Sequence, residues 1–478
     1  MSPATRPDVI VVGAGSAGCI VARRLVESGA SVLVLEAGPG YRDVDGRLQA
    51  PSSIEGESFF AALSEPGWQW DDLLVRRVAG QDAKAYARGR GLGGSSAVNA
   101  MLGLWGEADD YDRWERDHGC AGWSWADLEP TFMRLATPLR RRAELDSSRL
   151  GGALVAACRE QGWADHRGPA PLGAVGCDAG GAALTQFVDG RRASSFDVHL
   201  REIVHDPRLR IRVDTAVDVL LIDHGRIAGV RLVDGEVIES SRVVVCAGAI
   251  HSPWLLQRSG VENPMIGSGM QDHASAPITI ALREPVPISG LAVDSVARLS
   301  SGAAPADLQI LPIDHLGDQA PGLGSVSVAL MNVHSRGTST SGNLDLRMLS
   351  DERDLGAMMH GVSTLRRLLD SKAMRAVVEA AYIDDIGTPL DALGDDPSSV
   401  RDWLVARTGD YVHAAGGCVM GPKGRAVVDP TGRSWDVDGL WVIDASVMPR
   451  LPRANTHLPT CMVAERMSAH LVAAISSR

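Results

Sequence analysis

Near its N-terminus the chain alternates short apolar runs with a segment of helical periodicity. Asp8 to Val12 is a run rich in β-branched residues, which is typical of a buried parallel strand. Apolar positions then recur with the period of a helix from Ala17 to Leu25, and Gly29 follows as a stop signal. Ser31 to Leu35 is a second short apolar run. This order predicts the strand, helix and strand of a parallel α/β unit.

Further along the chain the same pattern predicts more strands and helices. An apolar strand begins at Val243 and breaks into a short helix at residues 247–249, and another strand, Leu440 to Ile443, turns at residues 444–446. A final helix is predicted from about Pro459 to the end. The remaining predictions are strands at 274–282, 306–313 and 325–333, a helix at 354–370, and a polar loop at 391–400.

The turn after the first strand carries candidate chemistry. Gly13, Gly15 and Gly18 have the spacing G-x-G-x-x-G, and Glu36 ends the second strand about twenty residues later. In this motif the first glycine permits the tight turn, the second lets the backbone approach a pyrophosphate, and the third packs the helix on the strand. The acidic residue would accept hydrogen bonds from ribose hydroxyls, which argues against NADP. The motif by itself leaves FAD and NAD open.

Composition narrows the class of protein. The 478 residues suggest two or more domains, and the net charge of −12 argues against binding to nucleic acid. The seven cysteines form no C-x-x-C pair, so we expect reduced thiols in a cytoplasmic protein that is not a disulfide reductase. No signal peptide and no apolar run long enough to span a membrane are apparent, and we predict no metal site.

Longer motifs, in a fixed order, resemble the glucose–methanol–choline (GMC) family of FAD-dependent oxidoreductases. They are GRGLGGSSAVNAM followed by DYDRW (89–114), GAIHSPWLLQRSGV (248–261), MQDHAS (270–275), SRGT (335–338), VHAAGGCVMGP (412–422) and the C-terminal run that begins at Gly439. The resemblance extends over nearly the whole chain and implies FAD as the cofactor. It is not complete, because the chain has Leu104-Trp105-Gly106 where many members carry an arginine, and the connection from Val261 to Gln271 is short.

The resemblance implies an α/β fold in which a Rossmann-type FAD-binding domain is interleaved with an α+β substrate domain. The FAD-binding domain would comprise residues 1–125, 185–272 and 405–478. Residues 126–184 and 273–404 would form the substrate-binding domain, an antiparallel sheet over the flavin backed by helices.

Together with the glycine motif, the resemblance assigns a set of FAD-binding positions. Members that bind flavin covalently use a histidine in the glycine–serine segment, where this chain has Val98, so we expect non-covalent FAD. The cofactor-binding positions are Gly13, Gly15, Ser16, Ala17, Gly18, Glu36, Ala37, Arg90, Gly94, Ser95, Asn99, Ala100, Met101, Val217, Ala247, Asp444, Ala445, His457, Leu458 and Pro459.

Two histidines are the candidate catalytic residues. His413 and His457 each match a position where the family holds one member of its catalytic His/His or His/Asn pair. A neutral imidazole, with an ordinary pKa of about 6.5, can take a proton near neutral pH. We expect His413 to be the base and His457 to position the alcohol oxygen. His251 and His273 are interpreted as structural.

The expected function is FAD-dependent oxidation of an alcohol, with a preference for primary alcohols, to an aldehyde. The hydroxyl proton would go to histidine and a hydride to flavin N5, with O2 or another acceptor taking the electrons. The start of the last helix, beside Asn455 and Thr456, would favour negative charge on the reduced flavin pyrimidine. Two alternatives are a non-redox lyase of the hydroxynitrile lyase type that keeps FAD, and a nucleotide-binding protein without catalysis.

Overall fold

A computed structural model describes residues 6–44, 47–141, 148–166, 168–171, 177–286, 291–317 and 320–476. Its first sheet is parallel and is built from segments that are far apart in sequence. The strand Val9–Val12 pairs with Val32–Leu35 on one side and with Val243–Val245 on the other. Both central strands are fully buried, which explains their continuous apolar sequence. In spatial order the strands are Leu440–Val442, Val243–Val245, Val9–Val12, Val32–Leu35 and Leu209–Arg212.

The crossover helix Ser16–Glu27 connects the first two strands, as the sequence predicts. It packs on the strands Val9–Val12 and Val32–Leu35 and, along its length, against the C-terminal helix His457–Ser476. The connection is the βαβ unit of dinucleotide-binding folds.

The second large sheet is antiparallel apart from one short edge pair. Its three predicted strands are present as Ser275–Leu282, Leu308–Ile313 and Leu323–Leu330. Helices Arg149–Glu160 and Glu352–Leu369 pack against one face of this sheet. In spatial order its strands are Val378–Tyr382, Ser275–Leu282, Leu323–Leu330, Leu308–Ile313, Ser295–Leu299, Cys177–Gly181 and Ala164–Asp165, the last pair being parallel.

Smaller elements complete the fold. The remaining strands are Val217–Asp223, Arg226–Leu232 and Val237–Glu239 in one sheet, Ser268–Met270, Gly337–Thr340, Asn343–Asp345, Leu74–Arg76 and Lys84–Ala85 in another, and the pair Arg42–Val44 and Arg47–Gln49. The remaining helices are Ser52–Glu55, Phe59–Leu63, Ala108–Arg116, Trp125–Met133, Ser195–His199, Gly248–Arg258, Lys372–Val377 and Pro397–Arg407, with 3₁₀ turns at Gly94–Ala97, Arg201–Ile203, Leu390–Leu393 and Ala445–Val447.

The prediction of a loop over residues 391–400 is wrong. A helix begins at Pro397, because the Asp396 carboxylate accepts the Ser399 N–H at 3.1 Å and proline occupies the first turn. The polar composition of this segment reflects its exposed position rather than an irregular backbone.

No helix in the described part of the chain is both long and apolar enough to cross a membrane.

Candidate active site

A cavity of about 440 Å³ lies between the two large sheets. One wall comes from residues that follow the carboxyl ends of the parallel strands, among them Gly13, Glu36 and Ala247. The facing wall includes Leu311 and Ile313 of the antiparallel sheet. Ligands of parallel α/β sheets bind at this carboxyl edge.

The first strand leads into a turn that forms one end of the cavity. Gly13 has φ +99°, and a Cβ atom there would lie 2.6 Å from the Cys246 carbonyl oxygen. A Cβ at Gly18 would lie 1.9 Å from the Gly13 carbonyl oxygen, so the helix can approach the strand only with glycine. The helix starts at Ser16 and has no side-chain cap among the described residues. Its first N–H groups are therefore available to an anion such as a pyrophosphate.

The glycine–serine segment passes directly over this turn. Gly94 has φ +53°, and a Cβ atom there would lie 2.8 Å from the Gly15 Cα atom. The two loops therefore touch backbone to backbone beside the cavity, which both of them line. Glycine-rich loops of this kind let a phosphorylated ligand approach the main chain closely.

Glu36 holds three backbone segments together. One carboxylate oxygen accepts the Ala14 N–H at 2.8 Å, and the other accepts the N–H groups of Gly38 and Gly91, each at 2.9 Å. Burial raises the pKa of Glu36, and the three N–H donors oppose that shift. Besides the predicted ribose contact, Glu36 therefore orders the loops around the cavity.

Most of the predicted cofactor-binding positions line one cavity. Gly18, Leu458 and Pro459 are not among its described lining residues: Gly18 packs against the Gly13 carbonyl, and the other two are buried in the C-terminal helix. Arg90 also lies outside the lining: it donates to the Ala37 carbonyl oxygen at 2.9 Å and stacks over Trp70. The positions on the cavity wall are Gly13, Gly15, Ser16, Ala17, Glu36, Ala37, Gly94, Ser95, Asn99, Ala100, Met101, Val217, Ala247, Asp444, Ala445 and His457.

Asp444 orders the turn between the last strand of the parallel sheet and the cavity. Its carboxylate accepts the Gly248 N–H at 2.8 Å and the Ser446 N–H at 2.7 Å, and it also accepts the Ser252 hydroxyl. The side chain thus joins two loops and the start of the helix Gly248–Arg258.

Three contacts hold His413, which also lines the cavity. The preceding residue, Val412, has φ +54°. The His413 N–H donates to Asp272 Oδ1 at 2.9 Å, and its Nδ1 atom lies 2.9 Å from Nδ1 of His273. The ring of Tyr411 packs edge-on at 5.0 Å. These contacts fix the imidazole, and its Nε2 edge faces Asn455, another residue of the cavity wall.

Asn455, rather than His457, is the side chain beside His413. Its amide Nδ2 lies 3.5 Å from His413 Nε2. The His457 ring instead meets Ser16 Oγ at 3.1 Å through Nδ1 and packs on Cys461 within its own helix. Both histidines line the cavity, but His457 contacts Ser16, the first residue of the glycine-motif helix.

Burial keeps the histidines of the site neutral. It lowers the pKa of His413 well below its usual value, and His273 and Arg88 contribute to the same shift. Burial also lowers the pKa of His457 to about 4, helped by Arg192, and that of His273 to about 3. A neutral imidazole is the form that can accept a proton.

His251 also lies on the cavity wall, although the sequence suggested a structural role. Its ring stacks on Trp70 at 4.2 Å, and burial lowers its pKa to about 4. The stacking and the neutral ring are consistent with a packing role.

Comparison with known proteins identifies the family. Residues 7–275 match the N-terminal domain of the GMC oxidoreductases, and residues 329–464 match the C-terminal domain. The chain belongs to the GMC oxidoreductase family. Its membership agrees with the order of motifs along the sequence and with the cavity between the two sheets.

Named relatives cover almost the whole chain. A 5-(hydroxymethyl)furfural oxidase of a Methylovorus species is 27% identical and covers 96% of this chain and 98% of its own. An oxygen-dependent choline dehydrogenase of Pectobacterium carotovorum is 27% identical over 96% of this chain and 94% of its own. The crystal structure of pyridoxine 4-oxidase from Mesorbium loti superposes with a TM-score of 0.86 at 26% identity, covering 97% and 99% of the two chains.

These comparisons confirm the predicted GMC family, the mixed α/β fold class and the assignment as a GMC-type oxidoreductase. The sequence did not reveal that Asn455 is the residue beside His413. A signal for Asn455 was present, because the resemblance allowed a His/Asn pair and Asn455 lies two residues before His457. The choice between Asn455 and His457 depends on the path of the backbone in the turn before the C-terminal helix, which the sequence does not reveal.

Proposed function

We propose that the protein oxidises a primary alcohol to an aldehyde, with FAD as hydride acceptor and His413 as the base. The observation that carries this proposal is the position of His413. Its Nε2 edge faces Asn455 in the same cavity that the glycine-motif turn lines. GMC-type oxidoreductases act on alcohol-type substrates, and this arrangement supplies the groups that such a reaction needs.

FAD is the cofactor. The helix that starts at Ser16 would hold its pyrophosphate, Glu36 its ribose, and the segment Gly94–Met101 would lie along its ring system. When bound, the flavin supplies the acceptor for the hydride. Val98 lies on the cavity wall and has no nucleophilic group, which supports dissociable FAD.

The contact between His273 and His413 is compatible with the tautomer of His413 that a base requires. If His413 Nδ1 carries the hydrogen and donates it to His273 Nδ1, the His413 Nε2 lone pair is free to accept the hydroxyl proton. His273 is a neutral acceptor in this arrangement, since burial lowers its pKa to about 3. His273 thus acts as a positioning residue for the base.

Asn455 is our choice for the partner that orients the alcohol. Its Nδ2 amide, 3.5 Å from His413 Nε2, can donate to the oxygen whose proton His413 removes. An amide cannot take that proton, so the two side chains have different roles. His457 would hold the start of the glycine-motif helix through Ser16.

The cavity favours a neutral substrate with an apolar body. Next to the active-site end its wall is formed by Met101, Val293, Leu311 and Ile313. Asp410, on the same wall, is already paired with Arg77. The relatives named for 5-(hydroxymethyl)furfural and pyridoxine both act on ring compounds, as their names state, and this supports a hydroxymethyl group on a ring. The final electron acceptor would be O2 or another oxidant.

Anaerobic mixing with primary, benzylic and sugar alcohols tests the proposal. An alcohol substrate should bleach the flavin absorbance at 450 nm, with one aldehyde formed per flavin. Repeating the active alcohols with O2 and with a dye acceptor then separates oxidase from dehydrogenase activity. Retention of the oxidised spectrum with every alcohol, together with cleavage of a cyanohydrin, would instead indicate a lyase.

A further inference from the structure

Arg192 is a buried cation directly behind the cavity wall. Its side chain is only 1% exposed. Its Nη1 atom donates to both oxygens of Asn99, the main-chain carbonyl and Oδ1, the latter at 2.8 Å. Its own N–H donates to the Glu55 carbonyl oxygen at 2.9 Å, which fixes the backbone at this point.

Among the residues that the structure describes, this guanidinium forms no ion pair, and Asp197 acts on it only from a distance. Its Nε and Nη2 atoms are buried without a hydrogen-bond partner among the described residues, and no described carboxylate lies within 4.0 Å. The nearby carboxylate of Asp197 is already occupied: it pairs with Arg201 at 2.8 Å and accepts the hydroxyls of Ser194 and Tyr41. A buried charge that is left unpaired is costly, and it interacts strongly with any opposite charge placed near it.

Asn99 connects this charge to the cavity. It lines the wall, and its Oδ1 atom also accepts the Met101 N–H at 3.0 Å, so one side-chain oxygen holds both Arg192 and the loop. Met101 has φ +63°, a conformation that this hydrogen bond helps to maintain. Through Asn99, the guanidinium therefore contacts the segment that would lie along the ring system of FAD.

The charge is present at neutral pH and acts on the site. Burial lowers the pKa of Arg192 only to about 10, so the guanidinium remains protonated. Burial lowers the pKa of His457, which also lines the cavity, and the charge of Arg192 adds to the same shift. The electrostatic field of the guanidinium disfavours a second positive charge in the cavity, and it favours a negative charge there.

We infer that Arg192 is an electrostatic positioning residue for the flavin: its unpaired charge favours the negatively charged reduced form of bound FAD over the oxidised form. This role concerns the cofactor and is independent of which alcohol, if any, the protein oxidises. At an effective dielectric constant of about 20, a unit charge roughly 10 Å away changes such an equilibrium by about tenfold or more.

The midpoint potential of bound FAD tests the inference. Arg192→Met removes the charge and keeps the length of the side chain. We expect the ratio of reduced to oxidised FAD at a given applied potential to fall at least tenfold, a shift of about 30 mV for a two-electron couple. Sulfite, an anion that adds to oxidised flavin, should bind at least tenfold more weakly to the same variant. Both measurements use the FAD-loaded protein and neither requires turnover.

Two variants control for structure and for overall charge. Arg192→Lys keeps the charge but loses the double contact with Asn99, so its potential should stay close to that of the wild type. Arg191→Met removes an exposed arginine that pairs with Asp189, and it should change the equilibrium less than twofold. If Arg192→Met does not retain FAD, Arg192→Gln is measured in its place.

Two results would overturn the inference. Equal shifts in Arg192→Met and Arg192→Lys would assign Arg192 only to holding the loop. A shift in Arg192→Met no larger than that in Arg191→Met would show that the buried charge does not act on the flavin. Failure of every alcohol to reduce the wild-type flavin would count against the proposed reaction and would leave these potentials measurable.

Discussion

The Nδ1 atoms of His413 and His273 lie 2.9 Å apart, although the two residues are 140 positions apart in the chain. His413 belongs to the loop that leads toward the C-terminal segments, and His273 precedes the long strand Ser275–Leu282 of the antiparallel sheet. His273 is fully buried and does not contact bulk solvent, and its ring also packs edge-on against Tyr411. The loop that carries His413 is thereby tied to the antiparallel sheet.

His273→Phe should slow flavin reduction without releasing FAD. A neutral hydrogen bond contributes about 0.5–1.5 kcal/mol, so we expect a decrease of about threefold to tenfold in the rate constant. His273→Asn, whose side-chain oxygen can still accept from His413, should recover most of the rate. Anaerobic stopped-flow absorbance at saturating alcohol measures both variants. Equal losses in the two would indicate a packing role for His273.

Glu36→Gln should destabilise the protein even without FAD. The carboxylate accepts three backbone N–H groups, and an amide must lose at least one of these bonds. Hydrogen bonds to a charged group contribute about 1.5–3 kcal/mol each, so the apoprotein should unfold at a clearly lower urea concentration. If Glu36 served only the ribose, apoprotein unfolding would be unchanged and only FAD affinity would fall.

His199 should make the protein less stable in mild acid. Burial lowers its pKa to about 3 in the folded state, below the usual 6.5, so the unfolded chain binds more protons under pH 6.5. The free energy of unfolding should therefore fall as the pH is lowered from 7.5 to 5.5, by about 1.4 kcal/mol from this group. In His199→Gln the decrease over the same interval should be smaller by that amount. Urea titrations of the wild type and of His199→Gln at pH 7.5 and 5.5 measure these free energies. Equal losses of stability in the two proteins would contradict the role assigned to His199.

FAD should be released by acid precipitation. Val98 occupies the position where covalent relatives carry a histidine, and a saturated side chain forms no bond to the flavin. Trichloroacetic acid should leave yellow flavin in the supernatant and a colourless pellet, as judged by absorbance at 450 nm. Flavin that stays with the pellet would reveal a covalent link at another residue.

The sequence was most informative where the function depends on neighbours in the chain. The turn from Gly13 to Gly18 and the acid Glu36 belong to one βαβ unit, so spacing alone predicts their arrangement. The strands of the antiparallel sheet could also be predicted from local sequence, since each is a continuous apolar or alternating run. At residues 396–397 the Asp-Pro helix start was readable, but the polar composition was interpreted as a loop.

Contacts between distant segments could not be read in the same way. Asn455 lies in the turn that precedes the C-terminal helix, and His457 is the first residue of that helix. The helix therefore presents His457 to Ser16 and leaves Asn455 beside His413. The pairing of His413 with His273 likewise depends on how residues 272 and 413 are joined through the Asp272 carboxylate.

The rate of anaerobic flavin reduction in three variants tests the central claim most directly. General-base catalysis contributes roughly 10²–10⁴ in rate, whereas an orienting hydrogen bond contributes about threefold to tenfold. With a reactive alcohol and full FAD occupancy, the rate of flavin reduction should therefore fall at least about a hundredfold in His413→Ala and about tenfold in Asn455→Ala. It should fall least in His457→Asn. A loss in His457→Asn that equals or exceeds that in His413→Ala, or an unchanged rate in His413→Ala, would contradict the assignment of His413 as the base.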